Sequence, residues 1–201
     1  MSATLDAFTF CADVHLGNMR SYAKPWLGSL NSRAKHSLDS LTWFLGSCVH
    51  SKTPVICGDL FDYPNPEAML LAKVAGIRGM NNSIQLLGNH DQHSKEVGDN
   101  ALSALRVGRA ITEPKVVGER LALVPFEPGV APAELIERAL KGNPIPTTTY
   151  SPRFMAIHAG IADAGTPEFM LHKKDEYIQV SDLVDLMEQY DIDTCFAGNW
   201  H

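Results

Sequence analysis

Five short clusters in this 201-residue chain combine carboxylate, imidazole and amide side chains at close spacing. They are Asp13-Val14-His15, Gly58-Asp59-Leu60-Phe61-Asp62, Gly88-Asn89-His90-Asp91, His158-Ala159-Gly160 and Gly198-Asn199-Trp200-His201. The donor atoms on offer are imidazole nitrogen, carboxylate oxygen and amide oxygen, with no thiolate. That set suits Mn, Fe, Zn or a similar divalent ion rather than a structural cysteine site. In Asp13-Val14-His15, residues two apart at a strand end lie on the same side, so both reach one ion. Glycine opens three of the clusters, where a sharp turn or a close approach of backbone to ligand is needed.

The positioning elements follow from the apolar runs. Strands are expected near Ala7 to Ala12, Pro54 to Cys57, Ser83 to Leu87, Leu121 to Val124, Arg153 to Ile157 and Thr194 to Ala197. All of these except the fourth run directly into one of the clusters. Between them lie helical patterns. Ala34, Leu38, Leu41, Leu45 and Cys48 recur at spacings of four and three, the mark of one buried helix face that ends before Pro54. Further helices are expected from Pro66 to about Arg78, stopped by Gly79, then at Asp99 to Arg106, at Ala131 to Lys141 opened by Pro132, and at Ser181 to Gln189 with Ser181 as the cap. Lys115 to Val124 reads as a hairpin around Gly118-Glu119, and Gly142 to Pro152 as a surface loop. The alternation indicates an α/β domain with mostly parallel strands. In such a sheet the carboxyl ends of the strands face one crevice, so ligands scattered through the chain converge there.

Composition sets the frame. The length suits one domain over residues 1–201, and 45% apolar residues are enough for a core without staples. Cys11, Cys48, Cys57 and Cys195 are far apart in sequence and read as reduced core thiols of a cytoplasmic protein. No stretch approaches 18 uninterrupted apolar residues and no basic-then-apolar leader opens the chain, which argues against secretion and membrane spanning. A formal net charge of -6 argues against nucleic-acid binding through a basic face spread over the surface. The acids concentrate in the last third, and those at Asp13 and Asp59 would be neutralised by bound metal.

Taken in order, the set DxH, GDxxD, GNHD, H and GxxH resembles the calcineurin-like metallophosphoesterase superfamily, from residue 13 to residue 201. Within it, Asp13-Val14-His15-Leu16-Gly17, Gly58 to Asp62 and Gly88 to Gln92 look most like the SbcD and meiotic-recombination DNA nuclease branch, found also in phages. The resemblance implies a four-layer sandwich of two central mixed β-sheets flanked by helices, here incomplete at the C-terminus because the chain stops at a ligand. It implies one metal held by Asp13, His15, Asp59 and His201, and a second held by Asp59 as a bridge with Asn89, His158 and position 199. The family has histidine at that last position; Asn199 replaces it, which biases the second site toward Mn or Mg. Two divalent ions, Mn foremost with Mg, Fe or Zn as alternatives, would clamp a phosphate and share the hydroxide that attacks phosphorus in line. His90 would protonate the leaving group and Asp62 would hold its imidazolium. The expected activity is DNA hydrolysis as a phosphodiesterase or exonuclease in recombination or repair, with DNA and an SbcC-type ATPase as partners, in the cytoplasm, or the host's if phage-encoded.

Other readings stay open. The same site could serve a small-molecule or phosphoprotein phosphatase, or the fold could persist as a scaffold weakened by Asn199. Singly, Asp13 and Asp62 also read as turn or helix caps, Asn89 as a left-handed turn residue and His158 as a core histidine. Asp91 reads as serving its loop's hydrogen bonding. His36, His50, His93 and His172 belong to no cluster and read as surface residues, and Cys11 and Cys57 as small core residues. Arg20, Lys24, Arg33 and Lys35, with Tyr22 and Trp26, could line a path for a phosphate backbone or form a solvated loop face. Trp200 reads as a stacking platform or a wedge against the core.

Overall fold

The computed structural model describes residues 7–18, 23–48, 52–94, 96, 98–118, 120–142, 153–168, 171, 173 and 176–199. Arg20, Tyr22, His50, His172, Trp200 and His201 lie outside the described residues, as does most of the expected 142–152 loop.

The chain is α/β. Strands β1 (Ala7–Cys11), β4 (Lys52–Ile56), β5 (Ile84–Leu86) and β6 (Arg109–Ile111) form a parallel sheet in that spatial order. A second sheet has the order β12 (Thr194–Gly198), β9 (Phe154–His158), β8 (Leu121–Val124) and β7 (Lys115–Val117). In it only the β7 and β8 hairpin is antiparallel. Two further, separate two-stranded sheets are small: β2 (Pro25–Leu27) with β3 (Leu30–Asn31), and β10 (Gly160–Ala162) with β11 (Tyr177–Gln179).

Side-chain alternation along the strands separates three cores. In β8, Leu121 and Leu123 face one way, where they join Val55, Ile84, Leu86, Ile111 and Ala156 in a cluster between the two sheets. Ala122 and Val124 face the other way, into a cluster with α4 (Pro132–Gly142) and α5 (Val180–Gln189). On the outer face of the first sheet, Ile56 packs with α1 (Ser32–Cys48), α2 (Ala68–Ala75) and α3 (Ala101–Leu105). Two sheets therefore lie face to face with helices on their outer sides. The α1 stripe of Ala34, Leu38, Leu41, Leu45 and Cys48 is buried as its spacing predicts.

Helix starts differ from the expected ones: α3 opens at Ala101, with Asn100 as its cap, rather than at Asp99. α2 begins at Ala68 rather than Pro66, and the Glu67 at its cap position turns its carboxylate away to accept from Asn18 Nδ2 at 2.6 Å and from Ser29 Oγ. It also stops at Gly76, short of Gly79, which instead takes a left-handed φ of 96° before a 3-10 turn at Met80–Asn82. α5 opens at Val180 with Gln179 at the cap, so Ser181 is not the cap but lies in the first turn.

Candidate metal centre

The ligand loops begin where β1 and β4 stop pairing as strands yet stay laced together by their backbones. Asp13 N–H donates to Gly58 O at 3.3 Å, His15 N–H to Asp59 O at 3.0 Å, Leu16 N–H to Leu60 O at 2.9 Å and Asp62 N–H to Leu16 O at 3.1 Å. The residues between the polar ones are anchors. Leu16, Leu60 and Phe61 are fully buried, each side chain contributing about 1.5–3 kcal/mol by leaving water. That fixation holds a strained backbone: of the six described non-glycine residues with positive φ, four lie here, Asp13 (φ 53°), His15 (φ 45°), Asp59 (φ 49°) and Asn199 (φ 129°). Such conformations cost on the order of 1–3 kcal/mol each and concentrate where function needs them.

Asp91 joins the third loop to the second. Its carboxylate is fully buried and accepts from Phe61 N–H at 2.9 Å, Gly88 N–H at 3.1 Å and Leu60 N–H at 3.3 Å. Burial pushes its carboxyl up to about 7 against the pull of the Phe61 amide. It serves loop hydrogen bonding, and the bonds cross from its own loop to the neighbouring one.

Asp59 lies at the middle of the cluster. Its Oδ2 is 3.4 Å from His158 Nε2 and 3.7 Å from His15 Nε2, and its Oδ1 accepts from the His90 amide at 2.9 Å. Asp59 also belongs to both triads whose ligand atoms lie within 4.8 Å of one another, His15 with Asp59 and His90, and Asp13 with Asp59 and His158. His158 is buried; its Nδ1–H donates to Cys57 O at 2.9 Å, which turns Nε2 toward Asp59 and 2.8 Å from Asn89 Oδ1. Burial alone would lower the His158 pKa, but the Asp59 carboxylate more than offsets this and raises it. Burial likewise works to raise the Asp59 pKa, and His158 with the His90 amide brings it down instead.

These residues fit a divalent ion. Two ligands held about 2.1 Å from one ion at tetrahedral or octahedral angles lie roughly 3.0–3.4 Å apart, close to the Asp59 and His158 separation. Asp13 Oδ1 is buried with no hydrogen-bond partner, while its Oδ2 accepts from Asn199 N–H at 3.1 Å. The glycines make room for the ligands: a Cβ at Gly58 would fall 2.0 Å from His158 Nδ1, and one at Gly88 would fall 2.1 Å from Asp59 Oδ1.

No protein-family model matches this sequence. No curated protein matches it at a significant level either.

The structure thus brings Asp13, His15, Asp59, Asn89, His90 and His158 into one cluster, with Asn199 beside it. Three details differ from the expectation. Asp62 meets His90 through its backbone carbonyl, 3.0 Å from Nδ1, whereas its carboxylate is 3.5 Å from His15 Nδ1. Asp62 therefore faces two histidines through two different groups. Asp13 groups with His158 rather than with His15. The Asn199 amide is tied by its Nδ2–H to Glu176 O at 2.7 Å, and its backbone N–H is what touches Asp13.

Two clefts flank the cluster. One, of about 500 Å³, runs from Asp13 and His15 along α1 past Arg33 and His36. The other, of about 610 Å³, is lined by Asp62, Tyr63, Asn89, His90, His93 and Phe126. His36 and His93 are on the surface as expected, but each lines a cleft, a placement their isolation in sequence gave no sign of. Cys11 and Cys57 sit beside the ligands with thiols pushed up by burial, Cys11 to about 12, and are unsuited to act as nucleophiles.

Proposed function

We propose that the chain is a two-metal phosphoesterase with the calcineurin-like metallophosphoesterase sandwich, and that it hydrolyses phosphodiesters of DNA. The observation that carries this is Asp59, one buried carboxylate placed between two imidazole groups at the carboxyl ends of strands from both sheets. The resemblance gives one ion to Asp13, His15 and Asp59 with His201 added, although here the Asp13 carboxylate groups with Asp59 and His158 and could serve that side as well. Asp59, Asn89 and His158 would hold the other. Two divalent ions, Mn foremost, would neutralise the phosphate and supply a hydroxide at neutral pH.

The chain's own residues then account for the rest. The Asp62 carbonyl fixes His90 through Nδ1, which leaves Nε2 as the atom that passes a proton to the departing oxygen. Asn199 N–H holds the Asp13 carboxylate, and Cys57 O fixes the His158 ring. Cytoplasmic DNA metabolism with an SbcC-type ATPase belongs to the same reading. Among the described residues no helix is long and apolar enough to cross a membrane.

The test is Mn-dependent hydrolysis of bis-p-nitrophenyl phosphate by the purified chain, with metal content measured beside it. Asp59→Asn is expected to lose metal at both positions and to lower turnover at least about a hundredfold, since its carboxylate serves two ions at once. An Asp59→Asn protein that keeps both metals and its rate rules the site out. Hydrolysis of monoesters with no diester or DNA activity would favour the phosphatase reading.

A further inference from the structure

The cleft along α1 is not needed to hold metal or to protonate a leaving group, yet it opens directly onto Asp13 and His15. Its wall on the helix side is made by Arg33, His36, Ser37 and Ser40. These positions fall at i, i+3, i+4 and i+7, so one helix face presents all four toward the same space. Arg33, His36 and Ser40 are exposed and Ser37 is half-buried. The chemistry of this face differs from that of the surface around it. Lys35, on the next strip of α1, is occupied by Asp39 at 2.5 Å and lies over the Trp26 ring. The Arg33 guanidinium has no ion pair among the described residues, although the chain carries a net charge of -6. Leu41 and Phe44 supply an apolar floor to the same cleft.

An arginine with hydroxyl and imidazole donors at helical spacing matches a phosphodiester, which has two anionic oxygens and neighbouring sugar oxygens to accept hydrogen bonds. The volume of about 500 Å³ is that of a pocket for a nucleotide-sized group. The second cleft, lined by His90, shares no lining residue with the first. In a diester the departing group meets His90, and the group that stays on phosphorus is free to lie along α1. A monoester has nothing to put there, whereas a nucleic-acid strand does.

We infer that the α1 face bearing Arg33, His36, Ser37 and Ser40 is a subsite for the phosphodiester next to the scissile one in a nucleic-acid strand, and that it makes the enzyme favour polynucleotides over small esters. This rests on the phosphoesterase reading above. It gives an acidic protein a local means of gripping DNA without a basic face, because one arginine acts at short range together with imidazole and hydroxyl donors on the same helix face.

The experiment compares wild type with Arg33→Ala, with Ser37→Ala, and with Lys141→Ala as a control for loss of one charge on α4. Binding of a fluorescent oligothymidylate is measured by anisotropy in EDTA over a range of salt, where turnover plays no part. Arg33→Ala is expected to weaken binding about tenfold, the effect of one charge-assisted hydrogen bond, and to lower the salt slope by about one. Ser37→Ala is expected to weaken binding less and leave the slope alone. With Mn, the ratio of kcat/KM for the oligonucleotide to that for bis-p-nitrophenyl phosphate should fall about tenfold in Arg33→Ala, through KM, and should stay at the wild-type value in Lys141→Ala. An Arg33→Ala protein with wild-type binding, slope and ratio overturns the subsite. A wild type that hydrolyses no phosphodiester overturns the reading beneath it, which the small-substrate assay shows before any variant is made.

Discussion

At the residue scale the informative feature is how few atoms each side chain has free. His158 Nδ1 is taken by Cys57 O and His90 Nδ1 by Asp62 O, so each ring presents Nε2 to whatever binds. For His158 that atom faces Asp59 and Asn89, which suits the ligand role proposed for it. His90 is exposed on the cleft and its backbone amide donates to Asp59, which suits the proton-carrying role proposed for its ring. His90→Gln should therefore keep wild-type metal content while lowering kcat, by about a hundredfold for an alkyl ester and far less for a nitrophenyl ester, whose leaving group needs no proton. Equal losses on the two esters, or loss of metal, would show that the ring has another role.

At the element scale the site depends on loops held from behind. The Asp91 carboxylate receives three backbone amides from the second and third loops in a space without solvent. Removing it leaves those donors buried and unsatisfied, at about 1–3 kcal/mol apiece. Asp91→Ala is expected to destabilise the protein by at least about 3 kcal/mol, read as a shift in urea midpoint at constant slope. It should also weaken metal binding, because Asp59 and Asn89 sit on the loops it ties. Asp91→Asn, which keeps an acceptor oxygen, should lose less. A midpoint for Asp91→Ala within error of wild type would mean that the loops are held by Leu16, Leu60 and Phe61 alone.

At the scale of the whole molecule the proposed ligands come from both sheets: Asp13, Asp59 and Asn89 follow strands of the first, and His158 and Asn199 belong to the second. The sheets already share a core in which Phe10 and Phe196 stack at 3.7 Å between centroids. An ion bound between them adds a second tie that only the folded state can make. At a hundred times its dissociation constant, Mn should stabilise the protein by about 2.7 kcal/mol, or roughly 5–10 °C in Tm for a chain of this size. EDTA should reverse the shift, and Asp59→Asn should show none. A Tm indifferent to Mn would mean that no ion links the sheets.

The apolar runs were enough to locate six strands, the β7 and β8 hairpin and the α1 face, because side-chain period and β-propensity are local properties. The polar clusters were legible for the same reason: each sits at a strand end, where ligand types stand out against the run before them. Short pairs such as β2 with β3 and β10 with β11 had no such signal, being two or three residues long and held by contacts elsewhere. Nor did the sequence contain the roles of groups that act through the backbone. That Asp62 reaches His90 by its carbonyl and His15 by its carboxylate, or that Asn199 holds Asp13 by its N–H, depends on where the chain brings main-chain atoms. Local pattern assigned the chemistry of the residues, whereas only the packing of two sheets decided which atom of each meets which, since those distances are set by contacts far apart in the chain.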